Sequence, residues 1–162
     1  MNASTHKPIA VSLAAFAEAL EFDAIPEQIR MRAKLLILDA VGIALASTRY
    51  EFAHRTLSAA RELGEGTSDV IGFSAKLGLR DAILLNGVLV HGLDFDDTHG
   101  RGVIHATASC FPAALGIAAK YNASGRDFLT AYVLGMEVAT RLGSVAKGGF
   151  HQVGFHPTGL VG

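Results

Sequence analysis

The sequence predicts an all-α fold, arranged as one helical domain over residues 1–162. Three observations predict it. Apolar residues recur at helical spacing along most of the chain. Half of the residues are hydrophobic and mean hydropathy is positive, which gives a chain of this length enough apolar surface for a packed core. Only one short stretch, residues 67–73, reads as extended.

The first helix is expected over residues 8–22, because Ile9, Leu13, Phe16, Ala17 and Leu20 fall on one face. Lys7 followed by an apolar run, with Ala17-Glu-Ala19 beyond it, loosely imitates a secretory leader. Ser12 and Glu18 interrupt that run, and the helix is the preferred reading. Asp23-Ala-Ile-Pro26 is a break, and Pro26 is placed to open the next helix. Ile29, Ala33, Leu36, Ile37, Ala40, Val41 and Ala44 carry that helix to about Ser47. Asp39 inside it reads as a helix-packing polar residue with a local partner.

Residues 51–63 form a third, more polar helix closed by Gly64 and Gly66. Residues 79–93 read as a buried helix, since Ala82, Ile83, Leu84, Leu85, Val88, Leu89 and Val90 leave little polar face. Residues 106–121 are apolar and helical, and Pro112 within them predicts a kink or a late start. Ser124-Gly-Arg-Asp127 has the form of a capping box ahead of a strong helix through Leu129, Val133, Leu134, Met136, Glu137 and Leu142. From Gly143 onward the chain is glycine-rich. Thr158 reads as an N-cap for residues 159–162, too short a run to nucleate a helix alone, so the chain is expected to be truncated at its C-terminus.

Several function classes are excluded or unsupported. Net charge is −1 with interleaved signs, and no basic stripe suggests nucleic acid. No uninterrupted apolar run is long enough to predict a membrane span. The single Cys110 excludes an intramolecular disulfide and a multi-cysteine zinc site, fits a reducing compartment such as the cytoplasm, and reads as a small core residue. There is no P-loop, no GxGxxG and no GxSxG elbow.

The chemistry concentrates between His91 and His105. The run His91-Gly-Leu-Asp-Phe-Asp-Asp-Thr-His99, followed by His105, brings three carboxylates, three imidazoles and a hydroxyl together in a chain that is only 18% charged. Such density points to proton or metal handling. Asp94, Asp96 and Asp97 repel unless a proton, backbone N–H groups or a cation offsets them. Capping of the following turn is an equally good reading for Asp96 and Asp97, and for Thr98. On a continued helix, Asp94 would share a face with His91. His99 and His105 can exchange protons near neutral pH. His156 lies in Gly154-Phe-His-Pro-Thr158, beside an expected helix start that favours anions, which suits a carboxylate substrate; His151 is a weaker candidate. His91, Asp94, Asp97, His99 and His105 offer enough N and O ligands for zinc, manganese or iron, but no HExxH or EF-hand spacing accompanies them, and no metal is expected.

With His91-Gly-Leu-Asp-Phe-Asp-Asp-Thr98, His105, Pro112-Ala-Ala114, Gly135-Met-Glu137 with Arg141, and Gly154-Phe-His-Pro-Thr158, the chain resembles the N-terminal part of the MmgE/PrpD family. That family contains 2-methylcitrate dehydratases, cis-aconitate decarboxylases and iminodisuccinate epimerases. The resemblance covers nearly the whole chain. It implies a helical large domain whose smaller lid domain is absent here, no metal or organic cofactor, and usually a homodimer. It also implies lyase or isomerase chemistry on small di- and tricarboxylic acids, by moving a proton next to a carboxylate.

By motif position, Asp94, Thr98, His105 and His156 match the family's active-site residues. His105, His156 and Asp94 are the expected catalytic groups, and Thr98, His99 and Arg101 the expected substrate contacts. Dehydration is the first expectation, with decarboxylation or epimerisation as alternatives. An inactive remnant serving as a helical, oligomer-forming module is a further alternative. Two departures stand out. His105-Ala106 replaces the family's His-Pro, and the step from Thr98 to His105 is one residue longer than in some members. The lysines and tyrosine of the family's second half are missing, so a separate chain carrying them is an expected partner.

Overall fold

The computed structural model describes residues 8–146 and 148–161. It is mostly helical, with one two-stranded hairpin. In order these are α1 (Ile9–Ala19), a 3-10 turn (Phe22–Ala24), α2 (Glu27–Ser47), α3 (Glu51–Glu62), β1 (Ser68–Val70), β2 (Phe73–Leu77) and α4 (Leu79–His91). They are followed by α5 (Ala106–Tyr121), α6 (Gly125–Val145), α7 (Gly149–Gln152) and α8 (Thr158–Val161).

Helix α4 is the centre of the packing. Helices α2, α3 and α5 and the hairpin all lie against it, and α5 in turn packs on α6. Leu85, Leu89 and Val90 of α4 are fully buried, as are Leu77, Ile104, Phe111 and Tyr132 around them. Burial of side chains of this size stabilises by about 1.5–3 kcal/mol each before the entropy cost of ordering them. Two polar side chains fix α4 to its neighbours. Ser47 Oγ donates to the Leu89 carbonyl at 2.6 Å. Asn86 accepts from the Ile71 N–H at 2.8 Å and donates to the Asp69 carbonyl at 3.1 Å, which pins the hairpin to α4.

Local sequence explains most boundaries. Pro26 caps α2 at its expected start, and α2 ends at Ser47 as its apolar spacing predicts. The Ser124–Asp127 capping box is present in both directions, with the Asp127 N–H on Ser124 Oγ and the Ser124 N–H on Asp127 Oδ2. Helix α1 stops at Ala19, short of the expected Phe22, and buries no residue fully.

Four expectations are corrected. Phe73–Leu77 is a second strand, antiparallel to Ser68–Val70, and the stretch read as one extended piece turns at Ile71-Gly72, where Gly72 takes a φ of 74°. Helix α5 starts at Ala106 and carries Pro112 inside it, so the late start is overturned. Proline cannot donate to the carbonyl four residues back, that of Ala108. That carbonyl would lie only 3.0 Å from a Cβ at Gly87, so the close α4–α5 approach occurs where the ladder bond is missing. Asp39 is exposed instead of packed between helices. Thr158 is the first residue of a four-residue helix, and its hydroxyl accepts from another segment instead of capping. No described helix is long and apolar enough to cross a membrane.

Candidate active site

The cluster forms where α4 ends and α5 begins. His91 is the last residue of α4, and Gly92 at its C-cap lets the chain leave close beside Phe52, whose ring would lie 2.4 Å from a Cβ there. The helix does not continue, so Asp94 reaches its place through a turn. Its φ is 56°, and its N–H donates to the His91 carbonyl at 2.8 Å. Aspartate tolerates this left-handed conformation better than most residues.

That turn reverses the apparent order of inside and outside. Phe95 is 74% exposed, whereas the Asp96 side chain is 1% exposed. Asp97 accepts from the Thr107 N–H at 3.2 Å and is tied to the start of α5. Thr107 Oγ1 is in turn 2.7 Å from the Tyr132 hydroxyl, deep against α6. Burial pushes the Asp97 carboxyl above its ordinary pKa, and hydrogen bonds from Thr107 oppose the rise. Burial likewise raises the Tyr132 hydroxyl, and pushes the Cys110 thiol up to about 11, which suits its reading as a core residue.

His91, Asp94, Asp96 and His105 each place a ligand-type atom within 4.8 Å of the others. His91 Nδ1 lies 3.0 and 3.3 Å from the two oxygens of Asp96. His105 Nδ1 is 3.5 Å from Asp96 Oδ1, and its Nε2 is 3.8 Å from Asp94 Oδ1. Asp94 is 80% exposed. His156 joins from fifty residues further on. Its ring stacks on His105 with centroids 5.7 Å apart, and stands 5.8 Å from His91 and 5.7 Å from His151.

The link between the two segments is explicit. The His105 N–H donates to Thr158 Oγ1 at 3.0 Å, and Pro157 and Thr158 are buried. His156 is thereby held two residues from a fixed point. Desolvation, followed by the neighbouring His105, His91 and His151, lowers its pKa below the ordinary histidine value. The ring itself is largely exposed, so this shift is read as a preference for the neutral form and not as a store of stability.

The expected residues divide into two groups. His105, His156 and Asp94 come together. His99 turns away into a local loop, where its Nδ1 accepts from the Gly102 N–H at 3.0 Å and its backbone bridges Ile104. Thr98 and Arg101 are exposed, and neither makes a hydrogen bond or ion pair among the described residues. Lys147 lies outside the described residues. The metal-type set differs from the expected one, because Asp96 replaces Asp97 and His99 is elsewhere. Two imidazoles and two carboxylates suit a divalent cation in kind, although the closest of these donors already face one another. Sequence reasoning missed the weight of Asp96. Nothing in a Leu-Asp-Phe-Asp-Asp run says which aspartate turns inward.

The chemistry available is proton exchange at clustered imidazoles beside a buried carboxylate. Comparison with known proteins gives this a frame. Residues 11–162 match the MmgE/PrpD N-terminal domain. The chain is 31% identical over 132 residues to the cis-aconitate decarboxylase-like protein oryM of Aspergillus oryzae, covering 76% of this chain and 27% of that protein. It is 30% identical over 164 residues to the cis-aconitate decarboxylase of Mus musculus, covering 96% and 33%. It is 28% identical over 139 residues to the cis-aconitate decarboxylase of Aspergillus terreus, covering 82% and 28%. The chain thus spans about a third or less of the length of these relatives. On this match the chain belongs to the MmgE/PrpD family, in the region of its N-terminal domain.

Proposed function

We propose that this chain is the N-terminal part of a cofactor-independent enzyme that moves a proton next to a carboxylate of a small di- or tricarboxylic acid. The observation that carries the reading is the stacked His105–His156 pair, in which His156 favours its neutral form. A neutral imidazole is the form that takes a proton, and a second ring beside it can return one or bind a carboxylate. In this reading His156 and His105 exchange protons with substrate, Asp94 tunes His105 from its exposed side, and Thr98 bonds a substrate oxygen. Dehydration, decarboxylation and epimerisation share that first step. The relatives' names, all cis-aconitate decarboxylase or like it, weigh toward decarboxylation over the dehydration first expected. Assembly as a homodimer, or with a separate chain, supplies the further cationic groups that a polycarboxylate needs beside three aspartates.

The test is turnover of the purified chain on 2-methylcitrate, citrate, cis-aconitate and iminodisuccinate, with and without EDTA, beside His105→Ala and His156→Ala. Turnover that resists EDTA and is lost in both variants supports the reading. Turnover abolished by EDTA refutes the cofactor-free form of it, and no turnover from folded protein refutes a working site in this chain alone. One observation favours the alternative of an oligomerising helical module. Met31, Leu35, Leu38 and Leu45 form a heptad-spaced stripe on α2 and are 49%, 51%, 69% and 49% exposed. Self-association without turnover is the outcome that favours it.

A further inference from the structure

Asp96 is the carboxylate of the cluster that the fold buries most completely. Its side chain is 1% exposed, against 80% for Asp94, although the turn at Asp94 could have left Phe95 inside instead. A carboxylate is buried at a cost unless donors surround it. The donors here are two ring nitrogens of the same type. His91 Nδ1 approaches both Asp96 oxygens, at 3.0 and 3.3 Å, and His105 Nδ1 approaches Oδ1 at 3.5 Å.

An ionised carboxylate only accepts. A ring nitrogen that hydrogen-bonds to it, as His91 Nδ1 does, is the one that carries the proton, and the lone pair of that neutral ring lies on Nε2. In His105, Nδ1 is buried and makes no hydrogen bond among the described residues, and Asp96 Oδ1 lies 3.5 Å from it. Its Nε2 points to the open side, toward Asp94. The 3.5 Å contact is loose, as such contacts often are before substrate binds.

We infer that Asp96, shared between His91 and His105 through their Nδ1 atoms, is the positioning residue of this site, and that His91 is its second anchor. Asp96 selects the Nδ1–H tautomer of both rings and fixes the plane of His105, so that Nε2 faces substrate. Asp94, 80% exposed and 3.8 Å from His105 Nε2, lies on the open side instead. The catalytic consequence rests on the proposed function, whereas the tautomer assignment stands without it.

The experiment is long-range proton–nitrogen NMR correlation on the whole chain labelled with 15N-histidine, at a pH near 8.5 where unperturbed imidazoles are neutral. His91 and His105 are expected as Nδ1–H tautomers. In Asp96→Leu both move to the Nε2–H form that a free neutral imidazole favours. Asp96→Asn keeps an acceptor oxygen and holds His91 as Nδ1–H, and it serves also if the leucine variant does not fold. Asp94→Asn leaves both tautomers unchanged. An Nε2–H tautomer at His91 in the parent chain overturns the inference, as does a change of tautomer in Asp94→Asn but not in Asp96→Leu. Where a substrate of the panel turns over, Asp96→Leu should lower kcat by about 10²-fold with little change in KM, the size of a lost proton-transfer contribution. Absence of turnover in the parent chain refutes a working site in this chain alone and leaves the tautomer result to decide on Asp96.

Discussion

Replacing Thr107 with valine removes one hydroxyl from the joint that holds the Asp97 loop to α6. The Thr107 side chain lies 2.7 Å from the Tyr132 hydroxyl, and Tyr132 is wholly buried. Valine fills the same volume but leaves that phenol without a partner, and a buried unsatisfied polar group costs about 1–3 kcal/mol. Tyr132→Phe is milder. It leaves the Thr107 hydroxyl with the Met136 sulfur at 3.7 Å as a weak acceptor, so about 1 kcal/mol is expected. The double variant removes both hydroxyls of the pair, and replacing both partners by apolar groups of like shape is nearly neutral.

The two single losses together come to about 3 kcal/mol, whereas the double loss is below about 1 kcal/mol, which gives a coupling near 2 kcal/mol. Urea denaturation of the four proteins, followed by circular dichroism, measures it. Thr107→Val alone should lower Tm by about 4–8 °C for a chain of this size. Additive losses in the double variant would refute the argument, because they would mean that the two hydroxyls stabilise the fold separately.

Two further predictions concern packing and charge. A Cβ at Gly66 would lie 2.2 Å from the Leu77 carbonyl oxygen and 2.3 Å from the Gly78 nitrogen, both backbone. Gly66→Ala should therefore cost about 3 kcal/mol or more in urea denaturation. Gly125→Ala, which meets nothing within 4 Å at the start of α6, should be neutral or stabilising, and equal effects of the two would sink the steric argument. Asp97 has a raised pKa, so the native state holds its proton more tightly than the unfolded chain does. The carboxylate thus subtracts stability as pH rises above the ordinary carboxylate range, and subtracts nothing below it. Asp97→Asn keeps an acceptor for the Thr107 N–H, and its advantage in urea midpoint should grow from about pH 4 to about pH 7. An advantage that shrinks over that interval would show that the hydrogen bond from Thr107, not burial, dominates.

What could be read from sequence was set by local chemistry. The Ser124–Asp127 box involves only neighbours in the chain, and it is present as expected. Pro26 acts through its own fixed φ, and α2 starts directly after it. The second strand was less legible. Phe73–Leu77 alternates in burial, but the residues facing inward include the small Ala75, and the turn rests on Gly72 alone. Pro112 does not mark the start of α5, and the carbonyl it leaves free lies close to Gly87 of α4. The site follows the same rule. The density of ionisable residues from His91 to His105 marks the region. Which carboxylate turns inward is set by the tertiary turn at Asp94, whose φ is 56°, and no spacing rule encodes that.

The union of His105 with His156 is wholly tertiary, and this bears on how the site works. Four residues cannot hold a helix by themselves. Helix α8 exists because it rests on α5 and α6, with Pro157 and Thr158 buried, and because Thr158 accepts from the very residue whose ring His156 meets. Loss of the Thr158 hydroxyl would therefore loosen His156 and His105 together, while leaving the His91–Asp96 contact in place. The His156 ring, in contrast, faces outward. Asp94 and His156 are exposed, and Phe95 and Phe155 stand 74% and 50% exposed beside them. Proton transfer at carbon is favoured where water is excluded. The buried Asp96, with the His91 ring at 3.0 Å and the His105 ring at 3.5 Å, thus forms the inner wall of the site.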